Sequence, residues 1–440
     1  MNTRLVKYHP ADRRLGTGEI YALRPPSRRW RGWWWVYAPL ARASTLVDDS
    51  GLRSLETAAR GKGDTQSKHL LEELSREERP ASDAGVTFRR LLLVPTAACN
   101  FRCRYCFAAA GHSGAMLSEA DGCVAIDHYL AHSPPEAPVD ICFLGGGDPS
   151  LALPLANRLL EHAEWRNNGT RPCSFSFVTH GGGNAQALAA FALRHKVSVG
   201  ISFDILPEIQ ERNRGHYALV EANLRALLGD GVEVGLKTTI TPDATPLMER
   251  MVRETAARWP GVSYLQMEPV LAPDMYPTPL SLRTFYRTFV SGWFKALRTA
   301  KKLGVGLGSS FSAHSRLLLN RFCDGSLLIA PNGVVSACEF VSAPQDPGFG
   351  DALLGRVTKG GSLVLDGPGG VASKGRRPEC ENCFAKWHCA GGCGHRRLVL
   401  GEKFDAETCR FTRAFMGRIL FDRFREAWDA SSQNVDIRSK

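Results

Sequence analysis

Three cysteines within eight residues constrain this chain more than any other feature. Cys99, Cys103 and Cys106 directly follow an apolar run at residues 88–95, which predicts a buried strand. A loop at the carboxyl end of a parallel strand lies on the face where such sheets place their chemistry. Four protein ligands would complete a structural metal site, whereas three leave one position open. The spacing predicts a metal centre with an open position; the alternatives are free core thiols or a zinc site completed by His112.

The chain as a whole has 440 residues and 13 cysteines. It contains no apolar stretch near the roughly 20 residues that cross a membrane, and its start lacks an apolar export segment. We therefore expect a cytoplasmic protein without a membrane partner. Because the cytosol keeps thiols reduced, this cysteine content indicates metal ligation rather than disulfides. The formal charge of +11 could attract an acidic peptide or nucleic acid, although scattered solvated arginines explain it as well.

Strand-like and helical segments alternate from residue 88 onward. Six strands are predicted at 88–95, 139–144, 174–179, 197–204, 232–240 and 264–269, and the helices between them at 119–132, 151–164, 185–194, 218–228 and 247–258. This alternation predicts an α/β fold with a parallel sheet, either open or partly closed into a barrel.

The two ends of the chain have different patterns. Residues 24–35 are rich in Arg and Trp, and short strands and helical spacing follow up to a linker at 79–85. This end predicts a small α+β unit of winged-helix-like character. After a helix at 282–302 the chain becomes rich in Gly and Cys, and a helix at 412–428 closes it. The predicted domains are residues 1–85, 86–305 and 306–440.

The Cys-x3-Cys-x2-Cys spacing, with Tyr105 before the last cysteine, resembles the radical S-adenosylmethionine (radical SAM) superfamily. The resemblance implies a partial (β/α)6 barrel. It also implies that Cys99, Cys103 and Cys106 hold a [4Fe-4S] cluster whose open iron chelates SAM.

Further segments match this superfamily in chain order. Gly145, Gly146, Gly147, Asp148 and Pro149 resemble its GGEP segment, which binds the SAM amino group, with Asp148 where Glu is usual. His180 replaces the Asn of a TNG-like segment, and the resemblance implies a SAM contact at that position. Ser202, Asp204 and Arg214 occupy positions at which related enzymes bind the ribose or carboxylate of SAM.

The C-terminal cysteines resemble a SPASM domain, which carries auxiliary clusters in radical SAM enzymes that modify peptides and proteins. The match covers Gly333 and all seven cysteines of the pattern. The resemblance implies two auxiliary iron-sulfur clusters. The nearer would be held by Cys323, Cys338 and Cys393, and the distal by Cys380, Cys383, Cys389 and Cys409. Zinc is the alternative for the distal set, since His388 and His395 lie nearby. Cys123, Cys142 and Cys173 fall on helix or strand patterns and are predicted to be buried apolar residues.

These resemblances imply a cytoplasmic radical SAM oxidoreductase that crosslinks a residue of a ribosomally made peptide through a thioether or carbon-carbon bond. A precursor peptide and a flavodoxin- or ferredoxin-like electron donor would be its partners. A formylglycine-forming sulfatase maturase is one alternative, and a non-catalytic iron-sulfur or zinc protein that binds nucleic acid is another. Glu339 resembles the acidic base of the sulfatase maturases. The nearer cluster would have an open iron or a ligand such as Glu339 or His314.

Overall fold

The computed structural model describes residues 13–16, 18–80, 88–323, 325–368 and 376–436. Most of the predicted linker at 79–85 lies outside these ranges. In the described part of the chain, no helix is both long and apolar enough to cross a membrane.

The N-terminal end forms an antiparallel sheet of four strands in the order β1-β2-β3-β4. The strands are β1 (Arg13–Arg14), β2 (Tyr21–Leu23), β3 (Trp33–Ala38) and β4 (Ala43–Asp48), and the helices α1 (Asp49–Ala59) and α2 (Thr65–Leu74) follow. Asp48 and Asp64 begin these helices by accepting a backbone N–H hydrogen bond. The small α+β unit that the sequence predicts is present. Its winged-helix character stays a prediction.

Side chains alternate between the two faces of this N-terminal sheet. Trp34 and Val36 pack with α1 and α2 in a small separate core. Trp35 and Tyr37 point the other way and join the main core of the protein. The Trp-rich segment is therefore mostly a packing element between two layers.

The centre of the chain is a parallel sheet, as predicted. Its strands are β5 (Arg90–Leu93), β6 (Val139–Phe143), β7 (Cys173–Thr179), β8 (Val197–Ser202), β9 (Val234–Ile240) and β10 (Tyr264–Pro269). The helices are α3 (Glu119–His132), α4 (Leu153–Asn167), α5 (Ala185–His195), α6 (Pro207–Asn213), α7 (Tyr217–Gly229), α8 (Met248–Arg258) and α9 (Pro279–Leu303). All six strands and all five intervening helices predicted from the sequence are found, and α6 is an addition.

The two faces of the central sheet differ in polarity. Leu91, Phe143 and Phe177 point toward the helices and belong to the main core. On the opposite face a small apolar cluster around Leu92 and Cys142 covers one end. We call this opposite side the inner face.

The sheet continues beyond α9, which the sequence did not predict. β11 (Leu307–Gly308) pairs in parallel with β10, and β12 (Ser326–Ile329) pairs in parallel with β5. The strands β13 (Val334–Ser336), β14 (Leu353–Val357) and β15 (Leu363–Val364) extend that edge antiparallel. The sheet thus crosses the predicted boundary at 305/306, and that boundary stays a prediction.

In the part of the Cys-rich end that the structure describes, there are five α-helices. These are α10 (Ser310–His314), α11 (Phe349–Ala352), α12 (Lys386–Cys389), α13 (Gly394–Leu400) and α14 (Asp405–Asp436). α14 is longer at both ends than the predicted helix at 412–428. Phe411 and Phe415 of α14 pack against α9, which fixes the Cys-rich end on the central sheet.

Candidate functional site

The first three cysteines lie on the Cys loop, residues 99–106, beyond the carboxyl end of β5. Burial raises the pKa of all three thiols, and burial together with the charges of Asp148, Cys103 and Cys106 raises that of Cys99 to about 11. The thiols stay protonated near neutral pH unless a cation stabilises the thiolate form. The donor set fits an iron-sulfur centre, because such clusters take thiolate ligands and three of them leave one iron open.

His112 lies against this loop, with its Nε2 atom 3.7 Å from the Sγ atom of Cys106. Among the residues that the structure describes, no group of three or more His, Cys, Asp or Glu side chains is arranged to hold a single metal ion. The structure thus places the residue of the zinc alternative beside the Cys loop without forming a mononuclear site there.

The glycine segment 145–147 packs tightly at the base of the Cys loop. A Cβ atom on Gly145 would lie 2.1 Å from the carbonyl oxygen of Gly147, and one on Gly147 would lie 2.0 Å from that of Ala98. A Cβ atom on Gly146 would lie 2.8 Å from Ser342 in the Cys-rich end. No larger residue fits this cradle without moving backbone, so the segment brings its main chain close to the Cys loop.

Asp148 joins the glycine segment to the end of β7. Its side chain is only 3% exposed and accepts hydrogen bonds from the Thr179 hydroxyl at 2.9 Å and the His180 backbone N–H at 2.6 Å. It also begins the short helical turn Pro149–Ala152. The His180 ring lies flat on Phe101 of the Cys loop, with ring centroids 3.8 Å apart. The structure therefore brings Asp148, Pro149 and His180 together beside the first cysteines.

Asp204 and Arg214 form a buried network with Tyr105 of the Cys loop. The Tyr105 hydroxyl donates to the Asp204 carboxylate at 2.6 Å, and Arg214 Nε donates to the same hydroxyl at 2.6 Å. Arg214 Nη1 also lies 3.8 Å from the Sγ atom of Cys103. Asp204 is fully buried, while Ser202 is half-buried at the end of β8. The sequence analysis did not predict the role of Tyr105 in this network. The available signal was its aromatic character and its position directly before the last cysteine.

The inner face carries two charged residues that the sequence analysis also missed. Lys237 on β9 extends over Gly200, where a Cβ atom would lie 3.2 Å from the lysine Cε. Glu268 on β10 accepts hydrogen bonds from the Ser310 hydroxyl at 2.8 Å and from Gln266 at 2.9 Å. Their signal was the alternation of apolar and polar residues along β9 and β10, since every second side chain of a strand shares a face.

The other seven predicted ligands form two groups of thiols. Burial raises the pKa of Cys338, and the nearby charges of Cys393 and Cys323 raise it further. Burial raises the pKa of Cys389 to about 12, with further contributions from its neighbours Cys383, Cys409 and Cys380. These groupings coincide with the two predicted ligand sets. That these cysteines are metal ligands stays a prediction.

The histidines of the distal zinc alternative have other partners. His388 Nε2 lies 2.6 Å from the Tyr37 hydroxyl, and its Nδ1 lies 2.7 Å from the carbonyl oxygen of Leu317. Both ring nitrogens are therefore used in fixing the N-terminal sheet to the Cys-rich end. His395 stacks on Phe340 with ring centroids 5.2 Å apart.

Glu339 and His314, the candidate non-cysteine ligands, lie beside the first of these groups. Glu339 is exposed, and its charge raises the pKa of both Cys338 and Cys142. His314 packs its ring edge-on against Phe322 at 4.5 Å. The structure thus keeps both candidates near the nearer ligand set without selecting one.

The remaining three cysteines differ in exposure. Cys142 is buried and Cys123 is half-buried, but Cys173 is exposed at the start of β7. The prediction of a buried residue is wrong for Cys173, the first residue of β7, whose Sγ atom accepts a hydrogen bond from Asn167 at the end of α4.

Comparison with known proteins identifies the fold. No family model matches the chain. No curated protein matches it either. Among solved structures, "Native anSMEcpe with bound AdoMet" is 19% identical, with a TM-score of 0.59, and the match covers 77% of this chain and 99% of that chain. The same protein with AdoMet and the Cp18Cys peptide gives a TM-score of 0.60 at the same identity and coverage. SuiB of Streptococcus suis bound to precursor peptide SuiA is 12% identical, covers 80% of this chain and 78% of its own, and gives a TM-score of 0.51. The chain therefore has the partial radical SAM barrel fold with a Cys-rich C-terminal region, as the sequence predicts.

Proposed function

We propose that the protein is a radical SAM maturase that oxidatively crosslinks a residue of a ribosomally made peptide. The observation that carries this proposal is the Cys loop itself, which presents three thiols at the carboxyl end of β5 against a glycine cradle. When bound there, a [4Fe-4S] cluster and SAM supply a 5′-deoxyadenosyl radical that abstracts hydrogen from an unactivated carbon. The protein has to bind, orient and shield the reactants.

The residues around the Cys loop suit the binding of SAM. The backbone of the glycine segment 145–147 can approach the amino group, because no side chain intervenes. Arg214 places a positive charge next to Cys103, where it also favours a carboxylate. In this proposal Asp204 orients Arg214, since the two form a buried ion pair at 3.6 Å. Ser202, at the end of β8, completes the set of proposed SAM contacts.

The inner face is the proposed site for the peptide residue that reacts. Lys237 and Glu268 provide opposite charges there, and Glu268 is held by Ser310 at the start of α10. In the Cys-rich end, the seven cysteines would hold two auxiliary clusters that supply an electron acceptor, and Glu339 would take a proton from the substrate. A flavodoxin- or ferredoxin-like protein would return electrons to the first cluster.

A peptide substrate is supported by the solved structures of similar fold. Both the anSMEcpe complex with Cp18Cys and the SuiB complex with SuiA contain a peptide. We propose that the N-terminal unit binds the leader of the precursor peptide along β4, which pairs with β3 on one side and ends the sheet on the other. An exposed strand edge offers backbone hydrogen bonds to an extended peptide.

A formylglycine-forming activity is the second candidate. It is supported by the likeness to anSMEcpe and by the position of Glu339 directly after Cys338. The two candidates differ in product, since a crosslink joins two residues of one peptide, whereas formylglycine forms from a single Cys or Ser.

The first test measures 5′-deoxyadenosine from SAM and dithionite with the reconstituted protein. Joint replacement of Cys99, Cys103 and Cys106 by Ala should abolish this product and leave iron bound in the Cys-rich end. The matched control replaces Cys123, Cys142 and Cys173 by Ala and should retain both. SAM cleavage by the first variant would overturn the assignment of the Cys loop.

The second test identifies the substrate. A precursor peptide encoded beside the gene is co-expressed with the enzyme and analysed by mass spectrometry for the mass loss and fragmentation of a crosslink.

Leader binding is measured by fluorescence anisotropy with Ser44→Pro and Thr45→Pro on β4. Neighbouring N–H groups point to opposite sides of a strand, so one of the two prolines faces outward. That variant should fold and lose leader affinity while SAM cleavage persists. Unchanged affinity in both folded variants would exclude this edge.

A further inference from the structure

His180 occupies a position between three segments that the proposed function assigns to SAM and the first cluster. Its side chain is 5% exposed, so it does not face open solvent. One face of its ring covers Phe101 with an interplanar angle of 3° and a centroid distance of 3.8 Å. Phe101 in turn contacts the ring of His216 at 4.4 Å. The Cys loop is thus held between two imidazole rings.

The hydrogen bonds of His180 assign its tautomer. The backbone N–H of Gly182 donates to Nδ1 at 2.9 Å, so this nitrogen carries no proton. The proton is then on Nε2, which donates to the side-chain oxygen of Asn100 at 2.7 Å. Burial lowers the pKa of the imidazole, and the Asp148 charge offsets this only in part, so the ring stays neutral near pH 7. Both ring nitrogens are therefore used within the protein.

Asp148 fixes the backbone of His180, and its Oδ2 atom also lies 3.4 Å from the ring Nε2. It accepts the His180 backbone N–H at 2.6 Å and is itself held by the Thr179 hydroxyl. A continuous chain of contacts thus runs from the glycine segment through Asp148 and His180 to Asn100 and Phe101, the two residues after Cys99. The hydrogen bonds of Asp148 are buried and those of the His180 ring are partly buried, and such bonds are costly to leave unmade.

We propose that His180 is a positioning residue that clamps the Cys loop, through Asn100 and Phe101, onto the glycine segment. It acts on SAM only by holding Cys99 in place and makes no contact with SAM itself. This inference replaces the SAM contact expected from the sequence. It rests on the proposed function only in naming what the loop holds, because the clamp itself consists of contacts within the chain.

The experiment is hydrogen-deuterium exchange of residues 97–107 in the full-length protein, as purified and after reconstitution with iron and sulfide. His180→Phe keeps the aromatic stack and removes both hydrogen bonds of the ring. We expect amide exchange in the loop to rise by about tenfold, since two partly buried hydrogen bonds are lost and each contributes about 1 kcal/mol. Asn100→Ala removes the same Nε2 bond from the other partner and should speed exchange in the same segment.

The matched control is His195→Phe. His195 is also buried and hydrogen-bonded through both nitrogens, to Glu164 and Asn157, but it lies on α5 away from the Cys loop. Loop exchange should stay at the wild-type rate in this variant. A second readout is the EPR spectrum of the reduced cluster with SAM, which should broaden in His180→Phe and recover in part in His180→Gln.

Unchanged loop exchange in both His180→Phe and Asn100→Ala would overturn the clamp. Lower SAM affinity in His180→Phe with unchanged loop exchange would instead indicate a direct SAM contact and also overturn it. Failure of the proposed function is distinguishable, because a protein without SAM cleavage would still show the change in exchange.

Discussion

Glu19→Gln should loosen the attachment of the N-terminal sheet to the Cys-rich end. The Glu19 carboxylate is 7% exposed and lies 2.7 Å from the Lys386 ammonium. It also accepts hydrogen bonds from the Tyr21 hydroxyl at 2.5 Å and from Trp387 Nε1 at 3.1 Å. Glutamine keeps the size of the side chain and removes the charge that neutralises Lys386.

The size of the effect follows from the Lys386 ammonium, which stays buried after the substitution. Lys386 is itself only 7% exposed, so the substitution leaves an ammonium without its counter-charge in a low-dielectric environment. Breaking a buried ion pair in this way costs about 3–5 kcal/mol. The cost falls on the junction that the pair holds, because Glu19 precedes β2 and Lys386 begins α12. A cost of about 3 kcal/mol corresponds to more than about 100-fold in a local opening equilibrium.

The assay is hydrogen-deuterium exchange of β2 and β3 in the anaerobic, reconstituted protein. Glu19→Gln should speed exchange there by about 100-fold or more, and Glu19→Gln with Lys386→Met should recover most of the loss because the pair is removed as a unit. The control is Glu161→Gln. The partner of Glu161, Arg194, is 61% exposed, so this variant should change the free energy of local opening by less than about 1 kcal/mol. Exchange within threefold of wild type in Glu19→Gln would refute the reasoning.

Three further predictions concern the N-terminal sheet and the Cys-rich end. Burial raises the pKa of the Glu19 carboxyl, but hydrogen bonds from Lys386, Tyr21 and Trp387 lower it, and the net pKa lies below the usual 4.5. The ionised Glu19 therefore stabilises the fold fully above pH 4.5, and this stabilisation is lost as the pH falls through the folded-state pKa. Tryptophan fluorescence in an acid titration should show this loss in wild type and not in Glu19→Gln. Glu339→Gln should keep 5′-deoxyadenosine formation and reduce peptide product by at least ~100-fold, and full product yield would make Glu339 a bystander. Arg377 bonds Cys409 Sγ, so Arg377→Gln should shift the reduction potential of the distal cluster to more negative values in an EPR-monitored titration, whereas an unchanged potential would count against that contact.

Local patterns predicted the central sheet well. The helix predicted at 119–132 has the bounds of α3, and the six strands were placed to within a few residues. Such segments are visible because apolar periodicity extends over a whole element. β11 and β12 have two and four residues, too few for a period, and their pairing depends on where the chain returns after α9.

The candidate site was likewise predicted only where its features are local in the chain. Ligand spacing is local, so the sequence alone groups Cys99, Cys103 and Cys106 as one set of ligands. The role of His180 is not local, because its partners Asn100 and Phe101 lie on another loop and the sequence carries no sign of their stacking.

The sequence by itself determined the spacing of the ten cysteines, the alternation of strands with helices and the carboxyl-end placement of the Cys loop, since these depend on local spacing and periodicity. The tertiary structure decided which polar groups meet. Glu19 and Lys386 are 367 residues apart in the chain and 2.7 Å apart in the fold. The Lys237 side chain lies across Gly200 of the neighbouring strand, where a Cβ atom would lie 3.2 Å from the lysine Cε. Contacts of this kind depend on the register and packing of distant segments, which no local pattern encodes.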